Sequence, residues 1–200
     1  MKIIFENITK VNHTHLSNVA GTDDNRPVIK GVFVDLIKKR LVVTDAHIML
    51  FYPIKMVYPE KFDTDSNVVF TREQCKIVPL ELFNKSKYMG NYKDYLLDLT
   101  YHLDDDFARV FNGNEEVFKC KYIDGFYPDY EKVVKSNSEK EEISEIGINM
   151  TLFQYVTKAI PSGNKDFKFT FFAQNKAINF EELNGTNEIV SGLIMPIMLR

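Results

Sequence analysis

Tryptophan is absent from this chain and cysteine nearly so, with Cys75 and Cys120 its two thiols. Their positions carry no metal-ligand spacing, so both are read as reduced and structural. An excess of charge of one sign is also lacking: 25 Lys and Arg against 28 Asp and Glu leave a net charge of −3. That balance excludes a protein that coats nucleic acid over its whole surface. It leaves room for a local basic face on an acidic body. No segment has a signal-peptide pattern, and none is an apolar run long enough to span a membrane. The expected compartment is therefore cytoplasmic. The sequons at Asn7, Asn12, Asn149 and Asn184 carry no meaning without a secretory route.

What is present is the composition of an ordinary globular protein, 44% hydrophobic and 26% charged. A chain of 200 residues suits one large or two small domains and buries a real core. With 16 Phe and 10 Tyr, that core is expected to be rich in aromatic rings.

Along the chain one order of elements recurs. Met1 to Glu6 reads as a strand, and Val11 to Ala20 as a short, poor helix closed by the polar run from Gly21 to Pro27. Val28–Leu36 and Arg40–Tyr52 are β-rich runs joined by a charged turn at Lys38-Lys39, which predicts a hairpin. A polar loop, Asp63–Asn67, precedes a strand at Val68–Thr71. The second unit repeats the order. Ile77-Val78 ends a strand, and Pro79 stands at the favoured first position of a helix carrying Leu80, Leu82 and Phe83. Strands follow at Tyr95–Tyr101, Ala108–Phe111 and Glu116–Ile123, with Asn112-Gly113 as a type I′ hairpin signal. Tyr127 to Glu142, with Pro128 and the charged run Ser136–Glu142, is linker-like.

The third unit opens with a strand at Ile146–Asn149 and a helix at Thr151–Ile160, capped by Asn149 or Thr151 and closed at Pro161–Gly163. Strands at Phe167–Phe172, Lys176–Leu183 and Glu188–Leu199 complete it, the last two joined across Asn184-Gly185. Proline has no N–H to give a ladder, so Pro196 belongs at an edge, a bulge or a strand end. A chain ending in Met195, Pro196, Ile197, Met198 and Leu199 must cover those side chains or use them, and methionines at a binding surface adapt to several partners. Three successive strand–helix–strands units make an internal structural repeat, one of pattern rather than of identity.

Four segments, in order, resemble the bacterial sliding clamp, the beta subunit of DNA polymerase III. Val43-Thr-Asp-Ala-His47 is similar to that family's ATDGH signature. Tyr122–Tyr130, reading YIDGFYPDY, resembles its DGRFPDY connector. Glu145–Asn149, EIGIN, resembles EIGFN, and Met195–Leu199, MPIML, resembles the terminal MPMRL. The resemblance implies an α+β fold of βαβββ repeats, with antiparallel sheets outside and helices on one face. Residues 1–133 then correspond to a complete middle domain, 134–142 to a linker, and 143–200 to the second half of the last domain. The family's first domain and half of its third have no counterpart. Ile48 replaces the arginine of the first signature, and one extra residue displaces the terminal arginine to Arg200.

The resemblance implies a processivity factor rather than an enzyme, a ring on duplex DNA that tethers polymerase and clamp loader, with no cofactor and no metal. DNA contacts are expected to be sequence-independent phosphate contacts, from Lys85, Lys87, Lys93, Lys158 and Lys165, while the first helix offers only His13 and His15. The partner-peptide pocket, carried over position by position, comprises Thr44, Ala46, His47 and Met49 of the signature strand. Pro128 and Val133 join from the connector, Leu152 from the third helix, and Leu193, Met195, Pro196 and Ile197 from the tail. Apolar residues with few polar groups suit an anchor pocket. A lone third unit leaves a sheet edge uncovered, so a homo-oligomer is expected. Four chains of three units match the family's twelve, and three chains suffice if each folds as two compact domains. The competing classes are an interaction module of the same fold that closes no ring, and an enzyme pairing Cys75 or Cys120 with His47 or binding a metal at Asp104-Asp-Asp106.

Overall fold

The computed structural model describes residues 3–57, 69–84, 99–136, 143, 145–163, 166–183 and 189–198. The first unit comprises β1 (Ile3–Glu6), α1 (His13–Ser17), a 3-10 turn at Pro27–Lys30, then β2 (Val32–Asp35), β3 (Arg40–Thr44), β4 (Ile48–Pro53) and β5 (Lys55–Val57). In the second, β6 (Lys76–Val78) leads through a 3-10 turn at Leu80–Phe83 to β7 (Leu99–Leu103), β8 (Phe107–Asn112) and β9 (Glu115–Lys121). A connector helix, α2 (Tyr130–Ser136), precedes α3 (Met150–Ala159), β10 (Phe167–Thr170), β11 (Ile178–Glu182) and β12 (Ser191–Ile194).

The strands form two sheets, ordered β5-β1-β7-β8-β9 and β10-β11-β12-β4-β3-β2-β6. Every pairing is antiparallel. The first two units exchange their leading strands: β1 pairs with β7, and β6 pairs with β2. Each sheet therefore takes its first strand from one unit and its hairpins from the other, which interlocks the two. The third unit enters the larger sheet through β12, which lies between β11 and β4 with Gly192 opposite Leu50 and Leu193 opposite Met49.

Alternation along a strand sorts the side chains of the larger sheet into two faces. Leu41, Val43, Ile48, Leu50 and Tyr52 are buried on one face. There the Tyr52 hydroxyl donates to the Ala159 carbonyl at 3.0 Å, satisfying an acceptor at the end of α3. α1 packs against α3 and against the Leu80–Phe83 turn on the same side. On the opposite face Phe33, Val42 and Phe51 are covered by the connector. Tyr127 stacks on Phe33 at 4.9 Å, and Tyr130 meets Phe33 edge-on and Phe51 at a tilt. The short α2 thus sits on the outer face, because Tyr127 and Tyr130 have an apolar sheet surface to cover.

The aromatic core is as expected: Phe5 and Phe83 flank Tyr101 at 5.2 and 5.3 Å, and Phe153, Phe167, Phe169 and Phe180 cluster under the third unit. The α1 helix exists despite its composition because Asn12 and His15 form a reciprocal capping box. The Lys38-Lys39 hairpin forms, with Lys39 at φ +53 and the Lys38 N–H donating to Asp35.

Several local expectations change. The Arg40–Tyr52 run is two strands, β3 and β4, joined by a turn at residues 45–47, and the Val28–Leu36 run opens as the 3-10 turn at Pro27–Lys30. Over its described residues, the helix expected after Pro79 is a 3-10 turn, Leu80–Phe83. Val69–Thr71 is not a strand; Thr71 instead starts a 3-10 turn at Arg72–Gln74, its N–H donating to the Gln74 side chain. Ile146–Asn149 shrinks to one bridge between Gly147 and Ile197, because the Asn149 side chain is taken as the N-cap of α3. The β8–β9 loop centres on Gly113 and Asn114 with positive φ at Gly113 alone, so it is not type I′, which needs both. The part of the connector expected as linker contains α2. The Asp63–Asn67 loop, the start of the Tyr95 strand, the charged run from Asn137 and the Asn184-Gly185 turn lie outside the described residues. Among those described, no helix is long and apolar enough to cross a membrane.

Candidate functional site: an apolar cleft at the sheet junction

Where β4 meets β12, the outer face is left open between the β3–β4 turn, the connector and the 3-10 turn at Pro27–Lys30. The turn is built by Asp45, whose carboxylate accepts from the His47 and Ile48 N–H groups at 2.7 Å each. Thr44 is buried, its hydroxyl donating to the Ile48 carbonyl at 2.6 Å and accepting from the Ala46 N–H at 3.0 Å. These bonds hold Ala46 at φ +80, a left-handed conformation that an L-residue adopts at a cost. Past the end of β12, the Met195 N–H donates to the His47 carbonyl at 2.9 Å, tying the tail to this turn.

The resulting cleft has a volume of about 260 Å³. Thr44, Ala46, His47 and Met49 form its floor and turn side, Leu193 and Met195 one flank, and Pro128 and Val133 the facing wall. These eight were expected to share one site from the sequence, though they are scattered over residues 44–195. The structure brings them together because β12 adds to β4. Leu152, Pro196 and Ile197 are not in the lining. Leu152 belongs to α3, which packs on the other face, and Ile197 is turned to Gly147, its N–H donating to that carbonyl at 2.8 Å. Arg26, Val28, Ile29, Ile48, Asp129 and Tyr130 line the cleft without having been expected there. Asp129 and Tyr130 lie inside the DGFYPDY segment, which was a usable signal. Val28 and Ile29 were hidden because their run reads as strand.

The cleft is apolar with a few charges at its rim. His47 and Arg26 are exposed, and Arg26 is held by Asp23 at 2.9 Å. Asp129 faces Lys132 at 3.4 Å. Such a site has no evident nucleophile and suits the anchoring of apolar side chains.

The thiols lie elsewhere. Cys75 is buried against Asp35, at the end of β3 opposite to the turn that carries His47. Burial pushes its thiol up. Cys120 is on β9 in the smaller sheet, and burial with the Glu81 carboxylate nearby pushes it up to about 11. Neither thiol is paired with His47. Asp104 closes the β7–β8 turn, accepting from the Asp106 and Phe107 N–H groups and from Arg109 at 2.8 Å. Burial raises its carboxyl, and these donors more than offset that, holding it below the usual range. The acidic triplet is thus a turn with its own cation. Of the lysines expected to meet DNA, Lys158 is exposed in the last turn of α3. Lys85, Lys87, Lys93 and Lys165 lie outside the described residues. The His15 ring accepts from the Asn12 N–H at 3.3 Å in the capping box.

No family model matches this chain, and no curated protein matches it. Solved structures do. A DnaN sliding clamp (DNA polymerase III subunit beta) from Bartonella birtlesii, bound to griselimycin, aligns over 99% of this chain and 66% of its own at 16% identity, TM-score 0.59. The DNA polymerase sliding clamp from Bacillus subtilis aligns over 100% of this chain and 65% of its own, at 12% identity and TM-score 0.61. A beta clamp from H. pylori in complex with diflunisal gives 98%, 66%, 16% and 0.60 in the same order. Two antiparallel sheets with α1 and α3 packed on one face are the sliding-clamp fold; the short connector helix α2 lies on the other face, where helices were not expected. The chain spans just under two thirds of the length of these clamps.

Proposed function

We propose that the chain is a sliding-clamp protein, a non-enzymatic processivity factor that tethers replication proteins to duplex DNA. The cleft is its docking site for peptide segments of a DNA polymerase and a clamp loader. One observation carries this reading: the β4–β12 junction, on a sliding-clamp fold, leaves an apolar cleft lined by Met49, Leu193, Met195, Pro128 and Val133. Pro196 and Ile197 extend the same site along the tail, and Lys85, Lys87, Lys93, Lys158 and Lys165 contact DNA phosphates. The separation of both thiols from His47 supports a non-enzymatic role.

The test is Met195→Ala. Met195 is 38% exposed, so its truncation leaves the fold standing, as circular dichroism will show. Binding of a labelled peptide carrying a glutamine and two large apolar residues should weaken by about 2 kcal/mol, the scale of a hot-spot residue. A folded variant that binds as tightly as the parent refutes the assignment.

A second reading is a clamp-fold interaction module that uses the same cleft and closes no ring. Solution mass separates the two. A ring requires three or four chains of 23.3 kDa each, held more firmly on DNA at low salt. A strict monomer at high concentration, with and without DNA, selects the module.

A further inference from the structure

Through Tyr130, which lines the cleft, the connector wall is held by three residues that do not line it, Asp35, Arg40 and Glu131. Tyr130 is 1% exposed, and its hydroxyl donates to the buried Asp35 carboxylate at the end of β2. Arg40, opposite Asp35 in the β2–β3 register, reaches the same hydroxyl at 3.1 Å and the Glu131 carboxylate at 2.7 Å. Its guanidinium also lies over the Phe51 ring at 4.1 Å and the Tyr130 ring at 5.0 Å. A planar, always-charged fork is suited to stacking and to donating in two directions at once. Pro128, Asp129 and Val133, in the same turn, face the cleft.

We propose that Arg40, with Asp35 and Glu131, is a positioning group for the peptide cleft, fixing the height and angle of the connector wall through Tyr130 without touching the ligand. The proposal rests on the reading of the cleft as a peptide site. The wall's ties to the sheet include this network, the packing of Val133 and Val134 on the core, and the Tyr127 anchor, a ring on Phe33 and a hydroxyl donating to the Val42 carbonyl at 3.3 Å. With Arg40 removed, Tyr127 still keeps the connector on the sheet. The turn beyond it, which carries Asp129 and Val133, loses its charge-assisted bond and its stacking partner. The floor formed by Thr44 and Met49 is left as it was.

The experiment uses the full chain with Arg40→Gln, Glu131→Gln and the double variant, and two measurements. Hydrogen exchange should quicken in residues 128–136 of Arg40→Gln and stay at the parent rate in β3 and β4. The peptide with a glutamine and two large apolar residues should bind Arg40→Gln about tenfold more weakly, the scale of one charge-assisted hydrogen bond. The double variant should lose no more than Arg40→Gln alone, since both act through one contact. Unchanged affinity in a folded Arg40→Gln variant overturns the proposal. So does faster exchange spread over both sheets, which marks a merely structural role. If the parent itself does not bind the peptide, the reading of the cleft fails. Exchange at residues 128–136 then still decides whether Arg40 fixes the wall.

Discussion

Gly192→Ala should do more damage than any other added methyl group on the β12 strand. Gly192 lies mid-strand, opposite Leu50 on one side and Phe180 on the other. A Cβ there would collide with the Met49 carbonyl and approach the Phe180 ring at 2.6 Å. The carbonyl is backbone of a central strand and cannot swing aside, so the strand must move away from β4. The ring is packed in the Phe153–Phe169–Phe180 cluster and has little room. Overpacking a core costs about 1–3 kcal/mol, and a backbone neighbour places this site near the top, at about 3 kcal/mol. In a chain of this size that lowers Tm by roughly 6–12 °C. Urea unfolding followed by circular dichroism measures the loss. The same variant should lose peptide binding, because Leu193 and Met195 leave the cleft with the strand. A Gly192→Ala protein within about 0.5 kcal/mol of the parent would show that the β12–β4 contact can open to admit a methyl group.

Two further outcomes follow from particular residues. Ala46→Gly should raise stability by about 0.5–1 kcal/mol, the relief of a left-handed L-residue less the entropy of a new glycine, read by denaturant unfolding; a loss would mean that φ +80 is not strained. Burial raises the hydroxyls of Tyr52, Tyr122, Tyr127 and Tyr130 above the ordinary value of 10.0. The unfolded chain ionises first, so stability is full below pH 10 and falls above it, by about 1.4 kcal/mol per pH unit for each tyrosine. Tyr130→Phe should flatten that slope in a stability–pH series, and an unchanged slope would refute the assignment.

Much of this protein was legible from the residues alone. Period-two alternation and β-branched runs predicted one hairpin in each unit, β2–β3, β8–β9 and β11–β12, because burial on a sheet face needs that spacing whatever the sheet's partner, while the β3–β4 turn inside the Arg40–Tyr52 run was missed. Asn149 or Thr151 marked the start of α3, because an N-cap is a local bond made within two residues, and the structure uses Asn149. The four motif segments pointed to eight of the residues that line the cleft. Three things needed the tertiary structure. The exchange of β1 and β6 between units pairs residues 42 to 100 positions apart, which no local pattern encodes. The strand expected at Ile146–Asn149 was lost to a competing cap, a choice settled by where α3 packs. Arg26, Val28 and Ile29 entered the cleft because the Pro27–Lys30 turn packs beside the β3–β4 turn, with the Gly21 N–H donating to both Ile29 and Thr44 carbonyls. Local bonds are written in neighbouring residues. Which surfaces meet is decided by burying the faces those bonds leave apolar, and that is settled only by the whole chain.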